Sequence, residues 1–348
     1  MTVSDEHVAT PPTSAQSTPA SATSRRLLDI GERYALLLVL LTVCIFFSLL
    51  PASSQYFPTR ANFATLTADT AVVAALAVAA LFPLITGNFD FSIAAIMSVS
   101  AMICATTMSR FHEPLLVAVV CAVAAGIAIG FANGFLVAWA HMSAFITTLG
   151  TATLLDGIIQ WYTHGLAIAN GISSALTDFG SLSWLGVPRI VYAVALIAIV
   201  SWYVLSLTGF GRRLYALGSN RRAAHLVGVN VRREVLISFV LSGTISGIAG
   251  VLLIARQGAA GTDAATGLLF PAYAAAFLGA TAIDPGRHNV PGTMIGVMLV
   301  AVSVSGLTLA GANSWVSPVF NGAALLLAVG LATFLRARRG AEGTVGNG

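Results

Sequence analysis

The stretch PLLVAVVCAVAAGIAIGFANGFLVAW, residues 114–139, decides the fold class of this chain. It contains no charged side chain. An apolar run of about 17 to 25 residues can cross the ~30 Å hydrocarbon core of a bilayer as an α-helix, which satisfies its own backbone hydrogen bonds where water is absent. We therefore expect a membrane-spanning helix at this position.

Nine further apolar runs lie on both sides of this stretch. Of the 348 residues, 57% are hydrophobic and only 9% are charged, whereas a soluble domain carries about a quarter charged residues. The sequence therefore predicts an all-α polytopic membrane protein with about ten transmembrane helices. The predicted spans are 34–50, 69–86, 91–108, 114–139, 143–161, 190–207, 235–254, 268–283, 290–309 and 318–335.

The arginines predict the orientation of these spans. All seventeen basic residues are arginine, and basic loops stay on the cytoplasmic side of a membrane. If the N-terminus is cytoplasmic, ten spans place thirteen arginines inside and four outside. The opposite orientation would reverse these numbers. We therefore expect cytoplasmic N- and C-termini.

The absence of lysine excludes two kinds of chemistry. A Walker A loop needs its lysine on the phosphates of ATP, and a Schiff-base enzyme needs a lysine amine. If ATP drives this protein, another chain hydrolyses it. The three cysteines lie singly in apolar runs, so we expect no metal site. The arginines form short runs rather than one basic face, which argues against nucleic-acid binding.

Composition divides the chain into a membrane domain and two tails. Residues 1–24 are rich in Ser, Thr, Ala and Pro, and we expect them to form a disordered cytoplasmic tail. Residues 25–337 form the predicted transmembrane domain, and 338–348 a disordered C-terminal tail. Two connections are long: 162–189, predicted outside, and 208–234, predicted inside. Long loops in compact proteins are often functional.

The inner connection carries the signals of a short helix. Asn220 suits an N-cap, and Gly228 suits a helix stop. Between them, Ala223 and Ala224 keep one side slim, while Leu226 and the valine after it offer a small apolar surface for a groove on another protein. The alternative is a basic loop that only enforces the topology.

Ionisable residues within a membrane domain are candidates for function because a charge in lipid is costly. Asp90 lies at the break between the second and third spans, where it either lines a solute path or caps the third helix, the latter being favoured. Asp156 lies on one face of the fifth span with Thr148 and Gln160, where these groups line a path or bond to neighbouring helices. The candidate path comprises Asn88, Asp90, Asn133, Thr147, Thr148, Asp156 and Gln160.

Glycines recur at four-residue spacing in two of the predicted spans. Gly126, Gly130 and Gly134 share one helix face, and Gly243 and Gly247 share another. Such faces let helices approach closely in lipid, so we expect them to be packing surfaces.

Four segments, in the same order along the chain, resemble bacterial ABC permeases that import monosaccharides of the ribose, xylose and arabinose type. FGRRLYALGSNRRAAHLVGVNVRR (210–233) is similar to the coupling loop of that family, and TGNFDFSIAAIMS (86–98) to its Gly-x-x-Asp-Leu-Ser motif. GFANGFLVAWAHMSAFITTLGT (130–151) resembles its fourth-to-fifth-helix segment, and FLGATAIDPGRHNVPGTMIGVMLV (277–300) its Gly-Thr-x-x-Gly helix.

The resemblance implies a type II ABC importer-like permease in the bacterial cytoplasmic (inner) membrane. Its solute would be a monosaccharide or related polyol. Its partners would be a second permease copy or homologue, a cytoplasmic ABC ATPase that binds ATP and Mg, and an external sugar-binding protein, with no cofactor on this chain. The residues implied in coupling to the ATPase are Gly211, Asn220, Ala223, Ala224, Leu226 and Gly228.

Two other functions remain open from the sequence. A branched-chain amino-acid ABC permease shares the general plan of the chain. A proton-coupled secondary transporter would use Asp156 as its protonation site. An integral membrane enzyme ranks below both because no nucleophile and base pair, or Asp-rich metal motif, occurs within a predicted span.

Overall fold

The structure is a computed structural model that describes residues 22–262 and 266–345. Nearly all regular structure in these residues is helical. The helices are α1 Ala22–Leu49, α2 Arg60–Ile85, α3 Ile93–Ser109, α4 Leu115–Ala138, α5 Ala144–Thr163, α6 Ser174–Ser181, α7 Arg189–Leu207, α8 Gly209–Ser219, α9 Arg221–Leu226, α10 Val231–Gln257, α11 Leu269–Gly279, α12 Val290–Leu309 and α13 Val316–Val345. Strands β1 Ser183–Trp184 and β2 Val187–Pro188 pair as an antiparallel hairpin.

Each of the ten predicted spans coincides with one of these helices. Among the described residues, α2, α4, α7, α10 and α12 are long and apolar enough to cross a membrane. Shorter apolar helices occupy α3, α11 and parts of α1 and α13. The remaining predicted span coincides with α5, which is in neither group. Its threonines, Asp156 and Gln160 make it more polar than the neighbouring helices. The helical membrane fold is therefore confirmed, whereas the number of spans and their orientation stay predictions.

Two helices extend into segments that were predicted to be disordered tails. Helix α1 includes three residues of the predicted N-terminal tail, and α13 continues through residues 338–345 of the C-terminal one. Adding residues to an existing helix gains hydrogen bonds without a new nucleation cost, which explains both extensions. The remaining parts of the predicted tails, 1–21 and 346–348, lie outside the described residues.

Helices α2 and α10 form the centre of the bundle. In α2, the apolar stretch is 83% buried, and in α10 it is 67% buried, whereas the corresponding values for α4 and α7 are 22% and 28%. The exposed sides of α4 and α7 are apolar, as a lipid-facing surface requires. Three serines of α10, Ser238, Ser242 and Ser246, lie fully buried within the protein.

The two glycine faces pack against each other, which confirms the packing prediction. A Cβ atom added to Gly243 of α10 would lie 2.3 Å from the carbonyl oxygen of Gly126 in α4. One added to Gly130 would lie 2.5 Å from the carbonyl oxygen of Phe239. Only glycine permits this approach, so α4 and α10 form a close pair.

Both long connections are folded. The 162–189 connection contains α6 and the hairpin, and Ile168 pairs with Ala260 through a β-bridge that joins it to the end of α10. The 208–234 connection contains α8 and α9. Neither connection is a simple spacer between helices.

Candidate functional site

The helical structure is interrupted between α2 and α3, and we call this segment, residues 86–92, the break. Helix α2 ends at Ile85, and Gly87 follows with φ +80°, a backbone conformation that favours glycine. Helix α3 begins only at Ile93, so the intervening backbone groups need partners from elsewhere. The side chain that provides most of these contacts is Asp90, which is fully buried.

Asp90 holds the break together through both carboxylate oxygens. Ser92 donates its backbone N–H (3.1 Å) and its hydroxyl to Oδ1. Ser242 of α10 donates its hydroxyl to Oδ2 at 3.0 Å. The Tyr273 hydroxyl of α11 donates to the backbone carbonyl of Asp90 at 2.8 Å and accepts from its N–H at 3.0 Å. The N-cap position of α3 is occupied by Ser92, so Asp90 does not cap that helix as the sequence led us to expect. Asp90 instead joins α10 and α11 to the break.

The hydrogen-bond network continues into α4 and α5. Asn133 of α4 donates its side-chain amide to the Ser92 hydroxyl at 2.8 Å, and Thr151 of α5 donates its hydroxyl to Asn133 Oδ1 at 2.7 Å. The backbone N–H of Phe91 donates to the Thr148 hydroxyl at 3.0 Å. The break is therefore tied to four helices: α4, α5, α10 and α11.

The structure brings together three of the seven predicted path residues: Asp90, Asn133 and Thr148. Thr147 is buried one residue earlier on α5, and its hydroxyl has no hydrogen-bond partner. Asn88 donates locally to the hydroxyl of Thr86. Asp156 is half-buried and Gln160 is exposed. The last two lie two and three turns beyond Thr148 on α5, away from the break.

Four members of the network were not predicted from the sequence: Ser92, Thr151, Ser242 and Tyr273. Ser92 belongs to the motif around Asp90, and its hydroxyl was the available signal. Ser242 and Tyr273 lie 152 and 183 residues from Asp90, and nothing local in their apolar helices indicates this partner.

Aromatic rings surround the break. Phe91 stacks on Tyr273 with ring centres 5.5 Å apart and meets Phe145 edge-on at 5.3 Å. Phe89 stacks on Phe277 at 6.0 Å. Phe89 and Phe145 keep 39% and 51% of their surface exposed. The break therefore presents partly exposed aromatic rings beside a buried polar network.

The second site is α9, where the structure confirms the predicted short helix. The Asn220 side chain accepts from the N–H groups of Arg222 and Ala223, and Gly228 follows the helix with φ +87°. Leu226 and Val227 are 86% and 78% exposed, although both are apolar. An apolar pair is thus displayed on a capped helix.

Two of the predicted coupling residues do not face outward. Ala224 is buried against a small apolar cluster that includes Leu217 and Phe239, whereas Ala223 is exposed. The two alanines therefore do not form one slim accessible side. Gly211 is also buried, and a Cβ added to it would lie 2.0 Å from the carbonyl oxygen of Leu205. Ala224 and Gly211 therefore pack α9 and α8 against the helix bundle.

An ion pair connects this segment to α10. Arg213 of α8 lies 2.6 Å from Glu234, measured from Nε to Oε1, and the Glu234 side chain is only 5% exposed. Helix α10 begins directly after α9 and carries Ser242 two turns beyond Glu234. Helix α10 therefore links the end of the coupling segment to the Asp90 network.

Residues 61–329 match the family described as "Branched-chain amino acid transport system / permease component". The chain belongs to this permease family. Both sites lie within the matched residues.

The permease also resembles curated relatives over most of its length. It is 32% identical to ribose import permease protein RbsC of Escherichia coli (strain K12), over 83% of this chain and 91% of the relative. It is 30% identical to the D-allose transport system permease protein AlsC of the same strain, over 86% of this chain and 91% of the relative. The probable ABC transporter permease protein YphD of that strain is 32% identical over 92% of this chain and 93% of the relative. No solved structure matches this permease.

Family membership makes this permease a membrane transport component rather than an enzyme. Within residues 22–262 and 266–345, no group of three His, Cys, Asp or Glu side chains is placed to hold a metal ion. The contacts at the two sites are hydrogen bonds, ring stacking and exposed apolar side chains.

Proposed function

We propose that this permease is the membrane subunit of an ATP-driven importer for a monosaccharide or related polyol. The similarity to ribose and allose import permeases along nearly the whole chain supports this solute class. The single observation that carries the ATP-driven mechanism is the displayed pair Leu226 and Val227 on α9. Apolar side chains exposed in this way suit insertion into a groove on a partner protein.

The proposed topology has ten spans, with both termini in the cytoplasm and the protein in the bacterial inner membrane. Residues 25–337 form the permease domain, and the parts of the chain before and after it are tails. The distribution of arginines supports this orientation. It places α8 and α9 inside the cell and the β1–β2 hairpin outside.

The coupling segment, 208–234, is the proposed docking site for a cytoplasmic ABC ATPase, which binds ATP and Mg. Asn220 and Gly228 define the ends of α9. Leu226 and Ala223 lie on its exposed surface. Ala224 packs α9, and Gly211 packs α8, against the helix bundle. Movement of α9 would pass into α10, which continues the chain and is held by the Arg213–Glu234 pair.

The Asp90 network and its aromatic surround are the proposed centre of the solute path. Sugars present hydroxyl groups and apolar C–H faces, which hydrogen-bonding side chains and aromatic rings can accommodate. Asn88, Thr147, Asp156 and Gln160 would extend the polar lining. An external sugar-binding protein would deliver the solute at the 162–189 connection, and a second permease copy or homologue would complete the path.

Uptake in cells that contain this permease, the ATPase and the binding protein tests the proposal. Radiolabelled monosaccharides are expected to accumulate, and an ATPase variant without its Walker A lysine should stop this accumulation. Uptake that persists without the ATPase but collapses with an uncoupler would instead identify a proton-coupled transporter.

The family description favours branched-chain amino acids as a second candidate solute. Unlabelled leucine or isoleucine added to the same uptake assay separates the two candidates. Sugar uptake is expected to be unaffected. Inhibition by the amino acids but not by excess sugar would support the second candidate.

A further inference from the structure

A large polar cavity lies beside α8, at the end of α2. Its volume is about 1070 Å³, and its wall combines the ends of α2 and α7, the outer face of α8 and the connection between α11 and α12. Arg212 of α8 and Arg287 of that connection both line it. Part of the cavity wall belongs to the coupling segment, but neither the proposed path residues nor the exposed pair Leu226 and Val227 line the cavity.

Arg287 lies over an aromatic ring. Its guanidinium carbon lies 4.3 Å from the ring centre of Tyr215, and the Tyr215 hydroxyl donates to the backbone carbonyl of His288 at 2.7 Å. Burial raises the pKa of Tyr215 to about 12, and Arg287 works against this shift. The ring is therefore a neutral platform that supports the Arg287 guanidinium, and Arg287 lines the cavity.

The positive charge in the cavity exceeds the negative charge. Asp284 also lines the cavity and lies 3.6 Å from Arg287, measured from Oδ2 to Nη1, which is a loose contact between half-exposed side chains. Arg212 adds a second exposed guanidinium. A planar guanidinium donates two parallel hydrogen bonds to a phosphate, so a pair of arginines suits a phosphate group.

An apolar stripe leads from the bilayer into the cavity. Leu196, Ile199 and Tyr203 of α7 are 62%, 60% and 57% exposed, and they share one face of the helix with Ser206. Ser206 lines the cavity. A molecule with its phosphate between the arginines could therefore lay a hydrocarbon chain along α7.

We propose that this cavity binds the phosphate headgroup of an anionic phospholipid through Arg212 and Arg287, with an acyl chain on the exposed face of α7. Basic cavities at the ends of membrane helices are suited to such headgroups. The proposed topology places this cavity at the inner leaflet, and that placement rests on the proposed function. The phosphate chemistry does not depend on the topology. The bound lipid would join α7 and α8 to the α11–α12 connection.

Thermal unfolding of the purified full-length chain in detergent, with and without added lipid, tests this proposal. Phosphatidylglycerol is expected to raise the unfolding midpoint, and phosphatidylcholine with the same acyl chains is not. Native mass spectrometry measures the affinity in parallel. We expect Arg212→Gln and Arg287→Gln each to weaken phosphatidylglycerol binding about tenfold, because each removes a charge-assisted contact.

The matched control is Arg222→Gln, which removes the same single charge from a neighbouring groove. The control is expected to bind phosphatidylglycerol like the unaltered chain. Equal losses in the control and in the cavity variants would overturn the proposal, as would equal stabilisation by phosphatidylcholine. Stabilisation by inorganic phosphate alone would overturn the lipid assignment. Because Arg212 is exposed on α8, its variant is expected to fold even if an Arg287 variant does not. None of these outcomes depends on the transported solute.

Discussion

Ser242 donates its hydroxyl to the Asp90 carboxylate at 3.0 Å, across 152 residues of sequence. This contact joins the central helix α10 to the break between α2 and α3. Because α10 also begins at the coupling segment, the contact lies between the proposed ATPase docking site and the proposed solute path.

Ser242→Ala should lower the unfolding midpoint and slow solute uptake. It leaves one buried carboxylate oxygen without a partner, which costs about 1 to 3 kcal/mol of unfolding free energy. The matched control is Ser246→Ala, one turn further along α10, because the Ser246 hydroxyl is buried without a hydrogen-bond partner. Equal effects of the two substitutions would show that the Asp90 contact contributes nothing.

The sequence predicts the helices better than it predicts their contacts. Apolar runs mark the ten helices that coincide with the predicted spans because lipid demands them, and Asn220 and Gly228 mark α9 because capping is a local interaction. The link from Asp90 to Ser242 is not local: it depends on how α10 crosses the break. Ala224 illustrates the same limit, since its sequence neighbour Ala223 is exposed while Ala224 itself is buried.

Asp90→Asn should be far milder than Asp90→Ala. Asparagine keeps an acceptor for Ser92, and the Ser242 hydroxyl can rotate to accept from its amide. Alanine leaves the Ser92 and Ser242 groups without an acceptor, at about 1 to 3 kcal/mol for each buried group. Unfolding midpoints and the amount of inserted protein measure both effects. Similar losses for the two variants would mean that the negative charge matters more than the hydrogen bonds.

Gly243→Ala should destabilise the pairing of α4 and α10. The added methyl group would lie 2.3 Å from the Gly126 carbonyl oxygen, so the helices must separate, at about 1 to 3 kcal/mol for overpacking. In Gly150→Ala, the control, nothing lies within 4 Å of the added atom. Its α5 helix should gain about 0.5 to 1 kcal/mol. A midpoint that does not fall in Gly243→Ala would contradict the close approach of the two helices.

Replacing Leu226 and Val227 with aspartate should abolish copurification of the partner ATPase while leaving the permease folded. Both side chains are exposed, so charging them costs the isolated protein little but places two carboxylates in an apolar contact. Leu185→Asp is the control, because Leu185 is fully exposed at the tip of the β1–β2 hairpin, on the opposite side in the proposed topology. Ala224→Asp is expected to fail differently: it buries a charge beneath α9 and should lower the unfolding midpoint itself. An ATPase that still copurifies with the double aspartate variant would remove α9 from the coupling mechanism, because no other change to its exposed apolar surface would be as severe.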